Sequence, residues 1–137
     1  MNKTAVHVDG KHIYSELTSR IIACALDAHK SLGPGFEEVF YQRALHRELT
    51  EAGIEATREV EIDVCYKNIV MGKKRVDFIV GDCLVEIKAK SELTEADKIQ
   101  TLSYLKASKY PIALLLNFGD KEFRIKRIAN TKGITEP

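Results

Sequence analysis

Hydrophobic and polar residues alternate through the middle of the chain, which predicts a run of β-strands. Four apolar residues fall on one side of the segment 58–66 (REVEIDVCY): Val60, Ile62, Val64 and Tyr66. After a turn at 67–68 the alternation resumes, with a bulge expected at Gly72. Gly81-Asp82 is a two-residue hairpin signal that leads into a further strand over 83–88. The pattern therefore predicts a three-stranded antiparallel meander.

Three segments show the longer period of amphipathic helices. The first covers 15–32, the second covers 36–52, and both are followed by a glycine that favours a helix end. The third runs from Thr94 to Ser108 and opens on a capping-box pattern in which Asp97 takes the place of glutamate. The apolar side of the first helix is formed by Ile21, Ile22, Leu26 and Ala28. The core stripe of the third is formed by Ile99, Leu102 and Leu105.

Two more strands follow the third helix. Residues 112–118 (IALLLNF) are almost continuously apolar, which is typical of a strand buried on both faces. Residues 122–128 (EFRIKRI) alternate, as expected of an edge strand. Residues 1–12 show no period and are expected to be a loose arm, and 130–137 to be a polar tail. The prediction is a single α/β domain over 1–137, with a central mixed sheet flanked by helices.

The two-residue turn fixes the pairing of the strands around it. With Val80 opposite Cys83, stepping outward brings Asp77 opposite Glu86, and alternation puts Lys88 on the same face as both acids. The pairs in between are Ile79 with Leu84 and Phe78 with Val85. The other face is wholly apolar and consists of Val76, Phe78, Val80, Cys83, Val85 and Ile87.

Opposed like charges destabilise a strand pair by roughly 0.2 to 1 kcal/mol unless positive charge lies between them. Lys88 supplies one such charge. A divalent cation would supply more, since carboxylate oxygens suit Mg²⁺ or Mn²⁺. The alternative is a solvated face, with water and Arg75, opposite Lys88, satisfying the charges. The hairpin taken alone favours the solvated face.

The second predicted helix carries an acid on its inward stripe. A spacing of 100° per residue groups Glu38, Tyr41, Leu45, Leu49 and Ala52 on one side. A carboxylate on a buried face has to be paired, hydrogen-bonded, protonated or bound to metal. Rotation of the helix that brings Glu38 to solvent is an equally open alternative.

Composition narrows the class of protein. The chain has 137 residues, 45% of them hydrophobic and 30% charged, as in ordinary globular domains. It shows neither an apolar run long enough for a membrane span nor the apolar segment of a signal peptide, so we expect no membrane partner and a cytoplasmic protein. The net charge of +1 gives no global attraction to nucleic acid, although Lys73, Lys74 and Arg75 form a local basic cluster.

The element order, with Asp77, Glu86 and Lys88 in a D-x8-E-x-K pattern, resembles the PD-(D/E)xK nuclease superfamily and its restriction-endonuclease-like core. Val76 stands where the proline of the pattern would precede Asp77. A narrower similarity, over about 18–128, is to the GxxExxY proteins, small bacterial members of that superfamily. It rests on GFEEVFY from Gly35, VEIKAK, QTLSY from Gln100, and LLLNFG followed by KRI.

The resemblance implies a nuclease that depends on Mg²⁺ or Mn²⁺ and cleaves DNA internally or from its ends. It implies that Asp77, Glu86 and the Ile87 carbonyl hold the metal, that Glu38 adds a helix-borne acid, and that Lys88 orients or activates the attacking water. The resemblance further implies that Gln100, Tyr104 and Tyr41 support the site. The basic cluster of Lys73, Lys74 and Arg75, which leads into the hairpin, is a candidate for binding nucleic acid.

The alternative function is a non-catalytic module that binds nucleic acid or protein on the same fold. The presence of Glu38, Asp77, Glu86 and Lys88 together favours the enzyme, because a binder has no need of opposed carboxylates. The near-neutral charge favours the binder mildly, because a nuclease often has a broad basic surface. A homodimer would merge two small basic patches, and we expect it as one possible state.

Overall fold

The computed structural model describes residues 5–7 and 15–130. Its strands are β1 (Ala5–His7), β2 (Thr57–Tyr66), β3 (Ile69–Val80), β4 (Cys83–Lys88), β5 (Ile112–Asn117) and β6 (Arg124–Ala129). Its helices are α1 (Ser15–Leu32), α2 (Glu38–Glu51) and α3 (Glu95–Ser108). The strands form one sheet in the order β1-β6-β5-β4-β3-β2. None of the described helices has the length and hydropathy of a membrane span.

The predicted meander is confirmed. β2, β3 and β4 pair antiparallel, and β4 then pairs parallel with β5, so that α3 forms the crossover of a mixed α/β sheet. Gly81 has φ = 58°, as the first central position of a type II′ turn requires. The expected bulge lies one residue before Gly72, since Val64 pairs with Gly72 and Cys65 with Val70.

Helices cover the sheet on both faces. α1 and α2 pack on one face over Tyr41, Leu45 and Phe78, while α3 packs on the other face over Ile62 and Leu84. All six residues of β5 are buried, which confirms the prediction of a strand covered on both sides. This layering leaves the carboxyl ends of β4 and β5 side by side.

The predicted apolar stripes of two helices are partly wrong. Leu26 of α1 is 38% exposed, and Ile99 of α3 is 57% exposed. In α3 the buried residues are Asp97, Thr101 and Leu105. Asp97 is drawn inward because it closes the capping box with Thr94 and accepts two hydrogen bonds from Lys90 Nζ, at 3.0 and 2.8 Å. These polar contacts, and not apolar periodicity, set the rotation of the helix.

Both predicted ends of the domain need correction. Residues 5–7, expected in a loose arm, form β1 and pair parallel with β6, so that β6 is not the outermost strand. Asn130, expected in the tail, is buried and donates from Nδ2 to the carbonyl oxygens of Leu105 and Tyr110, both at 3.1 Å. The rest of the arm and tail, 1–4, 8–12 and 131–137, lies outside the described residues.

The end of β4 is fastened to the end of β5 by an asparagine. Phe118 N donates to Lys88 O at 2.9 Å. The fully buried Asn117 side chain accepts from Lys90 N and donates to Lys90 O, both at 2.9 Å. A Cβ on Gly119 would lie 2.4 Å from Lys90 N. The segment directly after Lys88 is therefore held by backbone contacts on two sides.

Candidate active site

The pairing of β3 with β4 changes where the two acids meet. Three predicted pairs are present, ending at Phe78 with Val85. Beyond this pair, hydrogen bonds between side chains and backbone replace the backbone hydrogen bonds of the two strands. Ile87 N donates to Asp77 Oδ2 at 2.8 Å, and Asp77 N donates to Glu86 Oε1 at 3.3 Å. The predicted approach of Asp77 and Glu86 thus occurs, through side-chain to backbone hydrogen bonds.

The strands also change face at this step. Val76 was predicted to share a face with Phe78, but it packs with Ile62 and Leu84 on the α3 side, while Phe78 packs on the α1–α2 side. The prediction that Val76 belongs to the same apolar face as Phe78 is therefore wrong. Glu59 of β2 has φ = 55° beside this step, a conformation rare for a residue other than glycine. The strict alternation fails where the backbone leaves ordinary strand geometry.

Gln42 is a site residue that sequence reasoning missed. Its side chain is 5% exposed, and its Nε2 donates to Asp77 Oδ1 at 2.8 Å. Arg58 Nη1 in turn donates to Gln42 Oε1 at 3.5 Å. Both oxygens of Asp77 are thus engaged, one by α2 and one by β4. The available signal was that Gln42 lies four residues after Glu38, on the border of the inward stripe.

Glu86 is an acid in an unfavourable place. It is buried, and desolvation, followed by its hydrogen bond and charge interaction with Asp77, raises its pKa to about 8. Lys88 acts in the opposite direction and lowers the pKa of Glu86. Glu86 therefore retains its proton near neutral pH, and a strongly raised pKa beside a second carboxylate is typical of a functional site.

Glu86→Gln should stabilise the chelator-treated protein at pH 8. A folded-state pKa above the unfolded value means that the contribution of Glu86 to the free energy of unfolding is fully present below about pH 4.5 and is lost as the pH rises towards 8. Glutamine removes this loss, so the variant should be more stable at pH 8 by roughly 2 to 4 kcal/mol and should match wild type near pH 4.

Urea unfolding of both proteins at several pH values measures this difference. Glu55→Gln, at an exposed loop position, is the matched control and should follow the wild-type profile. A lower stability of Glu86→Gln at pH 8 would contradict the assigned burial of the charge.

Glu38 and Lys88 complete the polar end of the site. The inward stripe of α2 consists of the fully buried Tyr41, Leu45 and Leu49, and Glu38 lies at its solvent end with an exposed side chain. Desolvation raises the pKa of the Glu38 carboxyl, Lys88 lowers it and Asp77 raises it. The half-buried Lys88 thus lies within the electrostatic range of both Glu38 and Glu86.

These groups line one open cleft with a volume of about 350 Å³. The cleft is lined by Glu38, Gln42, Glu59, Lys74, Arg75, Val76, Asp77, Glu86, Ile87, Lys88, Gln100 and Tyr104. Lys74 Nζ lies 5.9 Å from the centroid of the Tyr104 ring, across the cleft from α2. The structure thus brings together nine of the eleven residues singled out from the sequence.

The other two sequence-predicted residues lie elsewhere. Lys73 points away from the cleft and pairs with Asp63 at 2.6 Å. Tyr41 is fully buried, donates from its hydroxyl to Gly33 O at 2.6 Å, and accepts from Phe36 N at 3.1 Å. It fixes the loop before α2 and so acts on the site only by positioning that helix.

Arg75 also differs from its predicted position opposite Lys88. It lines the cleft, but its guanidinium lies 3.9 Å from Glu61 and 4.0 Å from Glu59 on β2. The reason is that β3 has separated from β4 at this point and retains only β2 as its partner.

Within residues 5–7 and 15–130, no group of three or more histidine, cysteine, aspartate or glutamate side chains is placed to hold a metal ion. Asp77 and Glu86 are close, but Glu38 is not gathered with them into such a group. The donor chemistry of the cleft is nevertheless that of hard oxygen ligands.

Fold and site together define an α/β protein of the restriction-endonuclease-like class, with opposed acids and a lysine where two sheet strands separate. The family model of the PD-(D/E)XK nuclease superfamily matches residues 15–128, so the chain belongs to that superfamily. Membership indicates a nuclease. No curated protein and no solved structure matches the chain. The narrower similarity to the GxxExxY proteins stays a prediction.

Proposed function

We propose that the protein is a metal-dependent nuclease that hydrolyses phosphodiester bonds of DNA. The observation that carries the proposal is the pair Asp77 and Glu86, held side by side with Lys88 at the mouth of an open cleft. A buried carboxyl group beside a half-buried one costs stability and serves no packing purpose. The three free cysteines, Cys24, Cys65 and Cys83, are compatible with a reducing compartment such as the cytoplasm.

The carboxylates of Asp77 and Glu86 and the Ile87 carbonyl would hold Mg²⁺ or Mn²⁺, with Glu38 as a further acid. Their donor chemistry fits such an ion, and its charge would remove the proton that Glu86 otherwise retains. Asp77 would exchange its hydrogen bond from Gln42 or Ile87 for the ion. When bound, the metal supplies charge stabilisation to the phosphate and lowers the pKa of a water molecule.

The chain's own residues would position the substrate and the nucleophile. Lys88 places its ammonium beside Glu86, where it would stabilise negative charge on the attacking oxygen and on the phosphate. Gln42 keeps the Asp77 carboxylate oriented from α2. Lys74 and Gln100 both line the cleft and would contact phosphate oxygens near the scissile bond.

Incubation with linear, nicked, single-stranded and branched DNA tests this function, with Mg²⁺ or Mn²⁺ and with chelator. We expect metal-dependent cleavage of at least one substrate and a loss of about a hundredfold or more in Glu86→Ala. RNA of the same sequences tests the preference for DNA.

A binding module is the alternative, favoured by the incomplete gathering of acids in the cleft. If wild type cuts no substrate faster than Glu86→Ala, while both bind DNA equally, the nuclease proposal is wrong and the binding module is correct.

A further inference from the structure

The turn between β2 and β3 carries the three most exposed large apolar side chains among the described residues, Tyr66, Ile69 and Met71, together with Val70. Tyr66 is 62% exposed, Ile69 61%, Val70 50% and Met71 59%. Tyr66 and Ile69 pair directly across the hairpin, and Val70 and Met71 follow at the same end of it. These four residues are here called the apolar tip. Contiguous apolar surface of this kind marks a binding site more often than a folding requirement.

The apolar tip is rigidly built. Lys67 and Asn68 have φ of 50° and 65°, the two left-handed positions of a type I′ turn, whose twist matches that of paired strands. β2 and β3 pair down to Tyr66 and Ile69, directly beside this turn. Neither core cluster includes a residue of the apolar tip. The apolar side chains of the tip are therefore exposed to solvent on a regularly paired hairpin.

Charge identifies the kind of partner. Residues 64–75 (VCYKNIVMGKKR) contain four basic residues and no acidic residue, and acids of β2 face two of the four: Asp63 pairs with Lys73, and Glu59 and Glu61 lie near Arg75. Lys67 lies over the ring of Tyr66, at 5.4 Å from its centroid, so one positive charge is mounted on the apolar tip itself. The hairpin from 57 to 75 keeps a net positive charge, with five basic and three acidic residues. An apolar end on a hairpin of net positive charge fits a polyanion that has apolar surface inside it, and stacked base pairs have this character.

Strand β3 of the same hairpin leads directly into the cleft. Lys74 and Arg75 of β3 line the cleft, two residues before Asp77 at the nearest. From Val70 to Asp77 an extended strand covers about 23 Å at ~3.3 Å per residue. This span corresponds to about seven nucleotides at ~3.4 Å per step.

We propose that the apolar tip is a wedge that enters between base pairs at a fork or junction in duplex nucleic acid and directs one strand along β3 to the cleft. The proposal rests on the proposed nuclease function and gives it a substrate class, branched or forked duplexes. Apolar side chains that insert into a base step unstack it, and the basic residues behind them hold the backbone. The first cut should fall about seven nucleotides from the fork.

A second copy of the chain fits the apolar tip less well. Two tips in contact would bring together two segments of like positive charge, which repel each other. Nucleic acid satisfies the apolar and the basic groups at once, and for that reason we favour it.

The test uses a variant with a polar tip: Tyr66→Ser, Ile69→Thr, Val70→Thr and Met71→Ser. The substituted side chains are at least half exposed, so the fold should be kept. The matched control is Leu26→Ser, at an exposed apolar position on α1. We expect cleavage of forked DNA to fall about tenfold in the polar-tip variant, with cleavage of single strands within about twofold of wild type.

A second readout does not need cleavage. With Lys88→Ala as a non-cleaving background, binding to a fork with 2-aminopurine at the junction should raise its fluorescence, and the polar tip should abolish the rise. If neither wild type nor any variant cuts a substrate, the proposed nuclease function is wrong. The fluorescence measurement still tests whether the apolar tip acts as a wedge. An unchanged fluorescence rise overturns it, as does an equal loss on forks and single strands. A dimer in wild type that the polar tip converts to monomer, with fork cleavage intact, also overturns it.

Discussion

Lys88→Ala should lower the rate of phosphodiester cleavage by about two to four orders of magnitude and leave DNA binding within about threefold. Among the described residues, Lys88 is the cation whose charge lowers the pKa of both Glu86 and Glu38. Its removal takes away positive charge where the attacking oxygen and the phosphate would lie. The loss should therefore fall on the chemical step and not on binding.

Single-turnover cleavage and a binding assay with chelator separate the two quantities. Lys88→Arg should recover little activity, because the guanidinium is planar and larger than the ammonium. Lys30→Ala, on an exposed turn of α1, is the matched control and should cleave as wild type does. Equal cleavage by Lys88→Ala and wild type would remove Lys88 from the mechanism, and with it the strongest argument for a nuclease over a binding module.

Gly119→Ala should cost roughly 3 kcal/mol or more of unfolding free energy and should impair the site as well. The new Cβ would lie 2.4 Å from Ala89 C and Lys90 N and 2.5 Å from Lys90 O. All three are backbone atoms next to Lys88, so they give way only if the end of β4 moves. The Lys88 side chain, placed by that end, would move with it.

Urea unfolding measures the first effect, and the melting midpoint should fall by roughly 10 °C. Gly72→Ala is the matched control, because a Cβ there meets no heavy atom within 4 Å. A Gly119→Ala midpoint within about 2 °C of the Gly72→Ala midpoint would contradict this prediction. It would show that the turn after β5 can shift enough to accommodate the added Cβ.

Local sequence patterns correctly predicted three features that depend on neighbouring residues: the hairpin register, the burial of β5 and the start of α3. The Gly81-Asp82 turn set the hairpin register, because a two-residue turn with φ > 0 at its first position admits one pairing. The apolar run of β5 predicted burial on both faces correctly. Capping at Thr94 placed the start of α3, because the box is built from residues three apart.

Errors occurred where contacts from outside a helix or strand decide which of its residues are buried. Ile99 is exposed because Asp97, held by Lys90, takes the inward position on α3. Val76 lies on the α3 side because β3 changes face at Asp77, which hydrogen bonds from α2 and β4 hold in place. No period within a single segment contains this information.

The sequence by itself determined strands β2 to β6, the hairpin register and the candidate site residues Asp77, Glu86 and Lys88. These follow from backbone geometry and residue type, which act over a few positions. Only the tertiary structure decided that Gln42 clamps Asp77, that Tyr41 supports a loop, and that Glu38 opens to solvent beside Lys88. The reason is physical: the cleft forms where α2 and α3 meet the separating strands from opposite faces, and such packing depends on atoms far apart in the chain.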